Sequence, residues 1–199
     1  NENINFTNLT SAKQTSFPFF DDFSNSNISN NNWADRSILI NNSYAINPIS
    51  SGVATFDGLD SNGFAYDISV TNSYGVADYL TSKEIDISNL DSIFLMFFYQ
   101  PQGVGDFPQN QDSLVLEFLD DSLNWNRIWA INGSSYYPFE KKVIFINENK
   151  FLHQNFRFRF FNYATLSGNF DHWNLDYVLL DKFNSVSDTN ELNDVAFIG

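Results

Sequence analysis

The chain has 199 residues, 43% of them hydrophobic, and a formal net charge of −14. That length suits one all-β domain, or two small ones, with enough apolar content for a sizeable core. The 24 acids set against 10 bases disfavour nucleic acid and anionic membrane surfaces, and the absence of cysteine excludes a disulfide framework, a thiolate zinc site and a Cys nucleophile.

Phe alone contributes 22 residues, and with Tyr, Ile and Val it carries the apolar content, the composition of a pleated surface. Asn is the commonest residue; Asn, Ser and Asp cluster between the apolar runs, where their side chains satisfy turn backbones. An acidic surface of this kind suits Ca²⁺, neutral polysaccharide or simple solubility. No apolar run reaches the length of a membrane-spanning helix, and the start NENINFTNLT reads as a processed mature end or the edge of an excised piece.

In chain order, residues 1–16 form a polar, flexible arm. FPFFDDF (17–23) is a first short strand, NSNISNNN (25–32) a polar loop, and Trp33 returns the chain to apolar sequence. SILI (37–40) and VATF (53–56) are strands, followed by a loop over 58–67 with Gly58 and Asn62-Gly63 as turn signals. YLTSKEIDI (79–87) alternates, whereas IFLMFFYQP (93–101) is apolar on both faces and belongs inside a sheet covered on both sides. SLVLEFLDD (113–121), NRIWAI (126–131), KKVIFI (141–146), NFRFRFF (155–161) and WNLDYVLLD (173–181) complete the strands. Their spacing, without a helical period, predicts a jelly-roll β-sandwich of two antiparallel sheets over 17–183. Residues 184–199 read as a linker and the start of a following element.

Candidate chemistry is sparse. Period two places Trp173, Leu175, Tyr177 and Leu179 on one face of the last strand, and Asn174, Asp176, Val178 and Leu180 on the other. Asp176 among apolar neighbours must be hydrogen-bonded, paired or metal-bound. Either backbone N–H groups or Arg157 and Arg159 satisfy it, or it binds Ca²⁺ with Asp22, Asp21 and Asp57, since first and last strands often pair. Asp171 and His172, in the loop before it, need a favourable turn to reach any common partner. In NFRFRFF, Phe156, Phe158 and Phe160 face the core, and Arg157 and Arg159, half of the chain's four arginines, reach acids on neighbouring strands. Glu117 with Asp120 and Asp121 offers the acids of a glycosidase, although the same residues simply end a strand; His153 and His172 lie in unrelated contexts, so no enzyme is expected. Among the aromatics, Trp125, Tyr136, Tyr137 and Trp33 are the candidate ligand platform, with Tyr163 beside them, while Trp129 and Trp173 read as core.

The DDF start, the YLTSKEIDIS run into an apolar strand, and RFRFFNYATLSGNFDHWNLDYVLL resemble MAM-like, concanavalin-like jelly-roll domains. VATFDGLDSNGFAYD and FYQPQGVGD resemble those of Bacteroidota surface proteins exported by the type IX secretion system, including gliding-motility and adhesin-like proteins. The resemblance spans about residues 17–182. It implies an extracellular or outer-membrane-surface location, further domains in the same polypeptide, and a non-catalytic binding or scaffolding role towards a protein partner or polysaccharide. It also implies a structural Ca²⁺ between first and last strands, at Asp22 and Asp176, and O-glycans at Ser92, Ser113 or Ser122. A Ca²⁺-dependent carbohydrate-binding module of a polysaccharide-degrading enzyme is the alternative.

Overall fold

The computed structural model describes residues 15–25, 32–35 and 37–182. The expected arm up to residue 14, and the linker and following element over 184–199, lie outside them. Ten strands run in order: β1 Phe19–Asp21, β2 Leu39–Asn41, β3 Val53–Phe56, β4 Tyr74–Thr81, β5 Ile93–Pro101, β6 Ser113–Leu119, β7 Trp125–Asn132, β8 Glu140–Ile146, β9 Phe158–Thr165 and β10 Trp173–Lys182. Among the described residues the helical content is one 3₁₀ turn, Asn149–Phe151.

All strand pairs are antiparallel and form two sheets, the jelly-roll β-sandwich that the spacing predicts. One sheet has the order β2-β3-β10-β5-β8, with β1 taking over the edge of β10 beyond β3; the other has the order β4-β9-β6-β7. First and last strands do pair, Phe19 opposite Leu180 and Asp21 opposite Val178.

Between the sheets lies one Phe-rich core. Phe156, Phe158 and Phe160 face it, as the alternation of NFRFRFF requires, together with Ile93, Leu95, Phe97 and Tyr99 of β5. The opposite face of β5 is also covered: Phe94, Met96 and Phe98 form a second cluster with Ile49, Phe139, Val143, Tyr177 and Leu179. A strand apolar on both faces is thus buried on both.

The last strand departs from simple alternation. Asp176 pairs with Phe98 but Leu179 with Met96, so two residues of β10 stand against one of β5, and Tyr177 holds a φ of 51°. This bulge exchanges the faces. Val178 and Leu180 join Trp173 and Leu175 in the main core, while Tyr177 and Leu179 turn outward to the second cluster.

Strand boundaries also move. β4 begins at Tyr74, ahead of the expected 79, and leaves the sheet after Thr81. β9 begins at Phe158 because Phe156 is already committed to an isolated bridge with Ile85.

Candidate ligand-binding face

The outward side of the β4-β9-β6-β7 sheet collects aromatic rings by strand register. On β9, Arg159, Phe161, Tyr163 and Thr165 alternate with core residues; opposite them on β4 stand Thr81, Tyr79, Val76 and Tyr74. On β6, Glu117 faces Arg159 on one side and Arg127 of β7 on the other, and Leu119 faces Trp125. The rings touch in sequence. Tyr74 stacks on Tyr163 at 6.3 Å and 21°, Tyr163 meets Phe161 at 5.7 Å, and Phe161 meets Tyr79 at 5.6 Å. Arg159 then carries the run to Trp125, its guanidinium 4.1 Å from the indole centroid and 5.4 Å from the ring of Tyr79.

Arg159 is held by Glu117, whose Oε2 accepts from Nε at 2.8 Å and Nη2 at 2.6 Å. Arg157 instead donates from Nε to the carbonyl of Ser82 at 2.9 Å and lies 6.0 Å from the Trp125 ring. One of the two arginines therefore neutralises a neighbouring acid as expected, and the other caps a backbone oxygen. Both pack at Trp125. Phe161 is buried beneath the face, whereas Trp125, Tyr79 and Tyr163 are half-buried and Tyr74 is 45% exposed.

The four expected platform residues do not converge. Trp125 lies on this face. Tyr136 and Tyr137 follow the far end of β7, about 25 Å along a strand of that length; Tyr137 packs on Tyr99 at 6.3 Å. Trp33 needs correction. It is 3% exposed, wedged among Phe19, Phe23 and Phe158, with its indole N–H donating to Asp21 Oδ2 at 2.7 Å. Trp129 and Trp173 belong to the core, as expected.

The acids expected to bind calcium take main-chain and side-chain donors. Asp176 is fully buried. Its Oδ2 accepts from the amides of Ile49 (2.8 Å) and Ser50 (2.9 Å), and its Oδ1 from the hydroxyl of Ser50 (2.5 Å). Desolvation pushes its carboxyl up to about 6 against the pull of those donors. The hydroxyl of Ser50 also lies 2.5 Å from the carbonyl oxygen of Asp22, so first and last strands meet at one serine. Asp22 Oδ1 accepts from Ser24, Asp21 from Phe23 and Trp33, and Asp57 Oδ1 from the amide of Leu59 in a separate loop. Among the described residues no three His, Asp or Glu side chains are arranged to close around one ion.

Asp171 and His172 do find a common partner, Asp106. Asp171 adopts the left-handed conformation, φ 58°, that turns both side chains inward. The amide of Asp106 donates to His172 Nδ1 at 2.7 Å, which leaves Nε2–H to donate to Asn169 Oδ1 at 2.9 Å. Burial lowers the pKa of this ring, so His172 is a neutral staple between loops. His153 likewise bonds main chain, its Nε2 3.1 Å from the carbonyl of Leu119. The glycosidase candidates are engaged too: Glu117 by Arg159, and Asp120 by Asn126 and the amides of its own turn.

No protein-family model and no curated protein matches the chain. Similar solved structures include an exo-β-agarase, at 12% identity and TM-score 0.49, matched over 84% of this chain and 25% of that one. Another is the enzymatically active domain of a tailspike of bacteriophage CBA120, at 13% and 0.46, over 81% of this chain and 20% of that one. A third is a xylan-binding domain from Paenibacillus barcinonensis, at 6% and 0.43, over 86% of this chain and 97% of that one. The chain thus spans about a fifth of the tailspike domain and a quarter of the agarase. Among the described residues no helix is long and apolar enough to cross a membrane.

Proposed function

We propose that this domain is a non-catalytic module that holds a polysaccharide against the outward face of the β4-β9-β6-β7 sheet. The observation that carries the reading is the unbroken run of rings, Tyr74–Tyr163–Phe161–Tyr79 and on through Arg159 to Trp125. Aromatic faces suit the C–H faces of pyranose rings, and Tyr adds a hydroxyl to meet sugar hydroxyls. The rings are already braced by one another and by the Glu117–Arg159 pair, so little side-chain freedom remains to be lost on binding. A strip running across four strands suits an extended chain rather than one small sugar. The extracellular setting that the sequence resemblance implies goes with this role; export by the type IX system and a part in gliding would be its route and context.

Affinity electrophoresis and calorimetry against soluble xylan, mannan, β-galactan and agarose test the reading. At least one should bind, and Trp125→Ala and Tyr163→Ala should each weaken it about tenfold, the equivalent of ~1.4 kcal/mol, with far-UV circular dichroism unchanged. Binding indifferent to both substitutions, or no binding to any polysaccharide, overturns it.

A further inference from the structure

Three of the chain's four arginines, Arg127, Arg157 and Arg159, gather at the Trp125 end of the outward face. We infer that they form a subsite for an acidic group, a carboxylate or a sulfate ester, carried by the bound polysaccharide, a role that rests on reading this face as the polysaccharide platform.

Strand register brings the three together. Arg159 of β9, Glu117 of β6 and Arg127 of β7 stand in one row. In the next row the carbonyl of Arg157 accepts from the amide of Leu119 at 2.9 Å, and Leu119 stands opposite Trp125. Residues two apart on a strand share a face, so all three guanidinium groups rise from the same side of the sheet. With strands about 4.8 Å apart, Arg159 and Arg127 are about 10 Å apart at the backbone, a gap that their long side chains close over one small anion. Leu119, 8% exposed, makes an apolar floor between Arg157 and Trp125.

Donors remain free for a ligand. Arg159 commits Nε and Nη2 to Oε2 of Glu117, which leaves Nη1 unpartnered among the described residues. Arg157 commits only Nε, to the carbonyl of Ser82, and Arg127 is exposed with no hydrogen bond or ion pair among the described residues. The first two forks are already oriented by those bonds and by Trp125, with which an arginine's planar group packs well.

Glu117 is the one acid in the two rows, so three guanidinium groups meet one carboxylate, a local excess of two positive charges in a chain of net charge −14. Neighbouring like charges destabilise a sheet, and a cluster serving structure alone would be matched by some of the chain's 24 acids. Asp120, in the turn beyond Trp125, is held by Asn126 and the amides of its own turn. Exposed acids more than about 8 Å away are largely screened at physiological salt, so the local excess decides what this spot attracts. Paired N–H groups of a guanidinium match two oxygens of a carboxylate or sulfate, a fit that a neutral sugar hydroxyl does not use.

The test compares calorimetric affinities of the full chain within two matched pairs: a xylan bearing glucuronate side groups and the same xylan after carboxyl reduction, and a sulfated agar galactan and its desulfated form. In at least one pair the charged member should bind about tenfold tighter at about 50 mM NaCl, an advantage that shrinks several-fold at about 500 mM. The pair that shows it tells carboxylate from sulfate. Arg127→Gln should cut the charged-to-neutral ratio about threefold and Arg127→Glu should abolish it. Lys182→Gln, which removes the same charge at the end of β10 in the other sheet, should leave the ratio as it is. Equal affinity within both pairs, or a ratio untouched by Arg127→Glu, overturns the subsite and leaves the platform standing. Failure of all four polysaccharides to bind brings down the platform, and the subsite with it.

Discussion

Asp176 carries a carboxylate into a strand buried on both sides, and the three donors of Ile49 and Ser50 are what make that tolerable. The same contacts fix the turn at 49–52 against β10. Asp176→Ala would leave the amides of Ile49 and Ser50 without their acceptor, while the Ser50 hydroxyl keeps the carbonyl of Asp22. With a penalty of about 1–3 kcal/mol for each unsatisfied group, partly relieved by water, urea denaturation should show a loss of roughly 2–4 kcal/mol. A loss under about 1 kcal/mol would mean the turn finds other partners. Gly105 makes a similar point through size: a Cβ there would sit 2.5 Å from Nδ1 of His172, so the loop carrying Asp106 can approach its histidine only without a side chain.

At the scale of elements, the bulge in β10 is the decisive irregularity. Alternation alone sends Leu179 to the face of Trp173, whereas the structure buries Val178 there and leaves Leu179 half-covered on the outside. Val178→Asn should therefore cost roughly 1–3 kcal/mol for the buried amide on top of lost packing, and Leu179→Asn distinctly less, both read from urea midpoints. Equal costs would argue for an unbulged strand. IFLMFFYQP was legible end to end because its burial needs no choice of face. The bulge was not, because it depends on Tyr177 taking a left-handed φ that Phe20 and Phe98 hold in place from other strands, at 4.9 and 6.2 Å. The start of β4 was hidden for a related reason: its pairing with β9 slips between Val76 and Tyr79, which breaks the period just where it would be read. Trp125 and Tyr163 were visible as candidate ligand contacts. That Tyr79 and Arg159 complete their face follows only from the β4-β9-β6 register, which no local pattern contains.

For the whole molecule, buried acids set the pH dependence of stability. Asp78 is fully buried; Gly58 N–H and Tyr66 O–H donate to it at 2.9 and 2.8 Å, yet desolvation prevails and pushes it up to about 7. Its folded pKa is raised above the ordinary value of 3.8, so the folded chain keeps a proton that the unfolded chain has released. That contribution is whole below the unfolded pKa and is lost as pH rises through about 7. Asp176, pushed up to about 6, acts in the same sense at lower pH. Asp60, Asp67, Asp86 and Asp120 are held below the carboxylate range by turn donors and act only in acid. His172, lowered by burial, opposes the trend only below its unfolded value of 6.5. Between pH 6.5 and 8, then, Asp78 dominates, and unfolding free energy from urea titrations should fall by roughly 1 kcal/mol as pH rises across that window. Asp78→Asn should flatten the slope whatever it does to stability overall. A wild-type profile that is level or climbing across the window would show that the donors from Gly58 and Tyr66 outweigh desolvation and that Asp78 is ionised in the fold.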